Sequence, residues 1–132
     1  MCLHTILRGR EKKEALAKLE DTITVWKVVN RPYAYGDGWT TDYVGYPIHA
    51  GEVTFNQNII HPDSSNKYRG GGHFWLTKAG AFAWGVVGRE KLVRCTVKKT
   101  DINTIGSQCG FPIVVVKKAT FPKYLGSRKG GN

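Results

Sequence analysis

Tyr68 to Trp84 read YRGGGHFWLTKAGAFAW, a basic glycine loop, a histidine and five aromatics compressed into one short stretch. Three consecutive glycines let backbone amides approach a ligand without side-chain hindrance, and they reach backbone angles closed to other residues. The apolar run from His73 to Leu76 reads as a strand. Thr77 then stands as the N-cap of a short helix through Trp84. Loop, strand, cap and helix in direct succession place a helix beside a sheet.

Outward from this stretch, Thr22 to Val29 (TITVWKVV) is rich in β-branched residues and too short for an ordinary helix, so it reads as a central strand ended by Arg31-Pro32. Glu52 to Gln57 alternates, with Val53 and Phe55 on one face. Lys91 to Lys98 alternates as well, with Val93, Cys95 and Val97 on one face and Leu92, Arg94, Thr96 and Lys98 on the other. Cys95 is therefore a core residue rather than a nucleophile. Tyr43 to Ile48 and Ile113 to Phe121 complete the strands. Thr100 to Asn103 reads as a turn of helix and Gly106 to Pro112 as a loop.

Arg10 to Asp21 (REKKEALAKLED) is helical, its Ala15, Leu16 and Leu19 forming a narrow apolar stripe suited to packing on a sheet. Glu14 and Lys18 stand in the favourable order for a helix-surface ion pair. Several strand connections are too short for helical crossovers, so the expected fold is α+β, a mainly antiparallel twisted sheet of five or six strands with two helices. Residues 1–121 form a single domain in this reading, and 122–132 a basic flexible tail.

The 132-residue chain carries a formal charge of +10, unevenly distributed. Residues 67–132 hold thirteen Lys or Arg against Glu90 and Asp101, while the first 66 hold seven against eight acids. A field concentrated in one half favours polyanionic partners, nucleotide phosphates or nucleic acid. The apolar runs fall short of a membrane span, and the three cysteines have no close pair, so the reading is a cytoplasmic protein without membrane, disulfide or zinc site.

The glycine loop lacks the Lys-Ser/Thr of a triphosphatase phosphate loop and precedes a strand instead of joining strand to helix, which excludes that motif. As a looser cradle, Arg69, Lys78 and the amides of Gly70, Gly71 and Gly72 would take phosphates. Tyr68, His73 and Trp75 would line the same site, with Tyr35 and Trp39 of the turn-rich segment 33–42 as a lid able to stack on base or ribose. Burying such a ligand calls for a concave site, which a second subunit of a homo-oligomer would complete. In an enzymatic variant, His49 and His73 act as general acid and base on a phosphodiester. The histidine spacing offers no local metal motif, and no cofactor is implied.

Gly72-His73-Phe74-Trp75-Leu76-Thr77-Lys78, followed by Ala81, Ala83 and Trp84, then by Val93-Arg94-Cys95-Thr96-Val97 and Ile102 to Gly106, resembles a recurrent module of small uncharacterised phage and bacterial proteins. The resemblance spans about half of the chain. It implies a viral or prophage origin and an α+β fold, and it transfers no catalytic residue. Small phage proteins of this size include inhibitors of bacterial nucleotide-signalling immunity, a parallel of size and charge rather than motif. The expected function is a binder of a small phosphorylated or cyclic nucleotide. An enzyme that cleaves or modifies such a nucleotide, a phosphodiesterase or an ADP-ribose-handling protein, is the alternative, and a basic RNA- or DNA-binding module the third reading.

Overall fold

The computed structural model describes residues 3, 5–30, 39–41, 47–56, 70–84 and 90–122. Tyr35, Tyr68, Arg69 and all of the tail except Pro122 lie outside the described residues. The chain runs β1 (Thr5–Ile6), α1 (Gly9–Ala17), β2 (Thr22–Asn30), β3 (Trp39–Thr41), β4 (Pro47–Ile48), β5 (Gly51–Thr54) and β6 (Gly72–Trp75). It continues through α2 (Lys78–Trp84), β7 (Glu90–Lys98), β8 (Ile102–Gln108), β9 (Phe111–Val116) and β10 (Lys118–Phe121).

All the strand pairings are antiparallel, in the order β1-β8-β9-β6-β2-β7-β10-β5, with β3 on β2 and β4 on β3. The α+β class, the antiparallel sheet and the two helices agree with the sequence reading, but the strands exceed five or six. Two of the surplus strands have a local origin. The expected helical turn is present as a 3-10 turn at Lys99–Asp101, but Ile102 to Gln108 is a strand where the end of that turn and the start of a loop were expected, joined to β9 by the two-residue turn Cys109-Gly110 with φ of 53° and 82°. Positive φ at both central residues suits the right-handed twist of a hairpin. The expected strand from Ile113 to Phe121 is two strands, β9 and β10, with a corner at Lys117.

That corner shapes the molecule. At Lys117 the backbone N–H donates to the Asp101 carbonyl at 2.9 Å, and the ammonium lies 3.7 Å from the buried Asp101 carboxylate. Because β9 pairs with β6 while β10 pairs with β7, and both β6 and β7 pair with β2, the sheet curls into a ring. Phe55, Phe74 and Phe121 meet inside it, with ring centroids 5.7, 5.9 and 6.4 Å apart. In a flat sheet β5 and β6 would be about 19 Å apart, four strand spacings. Only a curled sheet allows Phe55 to touch Phe74.

Alternation assigns the side chains to two faces. The inner core holds Val25, Val29, Phe74, Val93, Cys95, Val97, Val114 and Val116, with Ala15, Leu16 and Leu19 of α1 packed against it. The expected stripe is thus used as read. The helix is shorter than Arg10 to Asp21, because Lys99 captures the chain leaving it: its N–H bonds the Asp21 carbonyl at 2.7 Å and its Nζ the Leu19 carbonyl at 3.0 Å. The ion pair observed on α1 is Arg10–Glu14 at 3.4 Å rather than Glu14–Lys18. On the outer face Val28, Trp75, Ile113 and Val115 form a second cluster with Ala81 of α2.

Candidate functional site

The glycines of the opening stretch fit against the core. Gly71 has a φ of 148°, and a Cβ there would collide with the Val116 carbonyl oxygen. A Cβ on Gly72 would stand 2.8 Å from the Phe55 ring. Gly70 is buried, and its carbonyl accepts a 3.4 Å hydrogen bond from Asn103 Nδ2. These close approaches explain the glycines through packing, independently of any phosphate.

His73 is 7% exposed, on the same outer face as Trp75 and beside its register partner Val115. Its carbonyl accepts a 2.7 Å bond from the ammonium of Lys27. Lys27 projects to the inner face with Val25 and Val29, its Nζ 5.3 Å from the Phe74 ring centroid. A lysine buried to 9% exposure loses much of its hydration, and the carbonyl and the ring face return part of that loss. The signal for this residue was an in-phase lysine within an otherwise apolar strand face, and the sequence reading passed over it.

His49 is exposed, and its Nδ1 donates to the Ala50 carbonyl at 2.8 Å. It follows β4, whose neighbour is β3, whereas His73 lies in β6 between β2 and β9. Strand pairing does not place the two imidazoles on neighbouring strands, so the acid–base pair gains no geometric support. Among the described residues, no three His, Cys, Asp or Glu side chains gather to hold a metal ion. No helix among them is long and apolar enough to cross a membrane.

The expected cation and aromatics do come together, in altered roles. Thr77 caps α2 as read, its Oγ1 accepting the Gly80 N–H at 3.0 Å. The cap starts α2 at Lys78, and the ammonium of Lys78 lies 5.5 Å from the Trp26 ring centroid and 5.7 Å from that of Phe82. Trp75 is only 3% exposed, sealed beneath α2. Its ring lies 6.3 Å from Trp84 and 6.4 Å from Phe111, and Gly80 is packed so closely that a Cβ would be 2.7 Å from the indole. Trp75 is therefore the floor of the feature rather than a contact surface.

Among the described residues, the rings most open to solvent are Phe82, 56% exposed, and Trp84, 39% exposed, with Trp26 half-buried beside them. Arg94, exposed, is the register partner of Trp26 on the same sheet face. The i, i+4 spacing of Lys78 and Phe82 was a legible signal for this pairing. The approach of Trp26 and Arg94 was not, since it depends on the β2–β7 register. Trp39 opens the short strand β3 within the segment read as turn-rich, and its side chain and residues 33–38, on which the lid reading rests, lie outside what the structure describes. No protein-family model, curated protein or solved structure matches the chain.

Proposed function

We propose that the chain binds phosphorylated nucleotides without converting them, at the exposed face formed by Lys78, Trp26, Phe82, Trp84 and Arg94. The observation that carries this reading is the Lys78 ammonium held between two aromatic rings, with further ring surface open to solvent beside it. An aromatic face takes a nucleobase by stacking. The adjacent ammonium and guanidinium take its phosphates by charge-assisted hydrogen bonds. A small linear or cyclic nucleotide is the ligand class, and the parallel of size and charge with small phage inhibitors of nucleotide-signalling immunity points to one used in bacterial defence signalling, which a binder would withdraw from its receptor.

Magnitudes set what this face does alone. One stacked base contributes about 1–3 kcal/mol and one charged hydrogen bond about 1.5–3 kcal/mol. Together they correspond to dissociation constants between about ten millimolar and tens of micromolar. Tighter capture needs more contacts.

The test is a thermal-shift panel of linear and cyclic nucleotides, followed by heat release and analysis of the nucleotide recovered. A ligand that raises Tm and returns unchanged supports binding, and its effect should disappear in Lys78→Ala/Phe82→Ala. Recovery of a converted product would replace the reading with an enzymatic one. The absence of any shift across the panel would remove it.

A further inference from the structure

We infer that the outer face of β2, β7, β10 and β5 is a platform for single-stranded nucleic acid, with the Lys78 cluster at one end. The inference rests on the proposed nucleotide contact at Lys78 and names its partner as a strand instead of a lone nucleotide.

Strand alternation turns the even-numbered residues of β2 and β7 to this face, and register arranges them in rows. Trp26 stands opposite Arg94, Thr24 opposite Thr96, and Thr22 opposite Lys98. The Thr96 row continues through Thr120 of β10. Apart from the half-buried Trp26, these side chains are exposed. α2 covers the neighbouring surface of β2, β6 and β9, and α1 packs against the inner core.

Three physical features select the partner. Opposed residues on neighbouring strands lie about 4.5–5.5 Å apart, and short threonine side chains keep the surface low, so a flexible chain can lie across it while their hydroxyls bond its phosphates and sugars. Arg94 and Lys98 are four residues apart on one side of β7, about 13 Å at strand rise, which spreads positive charge along the surface. Glu52, the acid in the Thr120 row, lies 3.8 Å from Lys118, so the face stays cationic. A duplex is read by an element inserted into a groove. A sheet surface with exposed rings at its end suits unpaired bases instead, and the chain's charge of +10 complements a polyanion.

The experiment is fluorescence anisotropy with the full chain. Its probes are thymidine and uridine homopolymers of about 12 nucleotides, inside the usual site-size range, the mononucleotide by competition, and a duplex of equal length. Either homopolymer should bind at least about tenfold tighter than the mononucleotide. The log–log salt slope should be about −2 if Lys78, Arg94 and Lys98 neutralise phosphates. The tighter homopolymer identifies the preferred sugar.

Thr96→Glu/Lys98→Glu introduces one acid and reverses one cation at exposed positions. It should weaken homopolymer binding at least about tenfold while leaving the mononucleotide affinity and Tm unchanged. Equal affinity for homopolymer and mononucleotide, equal affinity for duplex and single strand, or wild-type homopolymer binding by the double variant would each overturn the platform. If the mononucleotide binds and length confers nothing, the platform alone fails. If neither binds, the nucleotide reading fails with it.

Discussion

Cys95 shows how one residue's chemistry follows from its place in an alternating strand. The pattern of Val93, Cys95 and Val97 assigned it to the core, and it is 1% exposed there. Burial disfavours the thiolate and pushes the thiol from 9.0 up to about 12, against a smaller opposing effect of the nearby Lys27 ammonium. Above about pH 9 the thiol of the unfolded chain ionises while the folded one keeps its proton. The unfolded state then binds fewer protons, so stability falls as pH rises from about 9 toward about 12, by at most about 1.4 kcal/mol per pH unit. Urea denaturation should show wild type losing stability relative to Cys95→Ala across that window. A wild-type minus variant difference independent of pH would contradict the assignment. Lys27 could not be read in the same way, because its neighbours Phe74 and the His73 carbonyl come from a strand more than forty residues away.

At the scale of elements, the segment from Gly72 to Trp84 was almost fully legible. A strand, a threonine cap and a helix need only local rules, and all three are present. Thr77→Ala removes the acceptor of the Gly80 N–H and should cost about 1 kcal/mol, measured by chemical denaturation. A loss below about 0.3 kcal/mol would mean that α2 is held by packing alone. The β8–β9 hairpin was not legible, since Cys109-Gly110 lacks the Asn or Asp that usually announces such a turn. Its positive φ at Cys109 is imposed by the two strands it joins. The expected boundary of α1 failed for a related reason, as Lys99 from the far end of β7 competes for the carbonyls that would have continued the helix.

Across the whole molecule, the corner at Lys117 turns a sheet into a ring, and Phe55 closes the interior. Phe55 follows a four-residue strand at the sheet's end, a position that ordinarily frays. Here its N–H bonds the Lys117 carbonyl at 2.8 Å and its ring rests on Phe74, Phe121 and the bare surface of Gly72. Phe55→Ala should therefore cost about 3–5 kcal/mol, a full core loss, and should speed hydrogen exchange in β6 as well as β5. A cost near 1 kcal/mol would show that the ring is not mechanically closed. The same curling leaves the outer face of β2, β7 and β10 to carry the cationic and threonine rows.

The sequence by itself determined the α+β class, the buried and exposed faces of β5 and β7, the apolar stripe of α1, the cap of α2 and the concentration of positive charge after residue 66. Those properties follow from side-chain period and composition, which act within a few residues. Tertiary structure alone decided that Gly71 and Gly72 admit Val116 and Phe55, that Trp75 is sealed while Phe82 and Trp84 are open, that Lys27 is interior and that Trp26 meets Lys78 and Arg94. Each depends on which distant strands pair and in what register. Burial is a property of those pairings, and local sequence does not contain it.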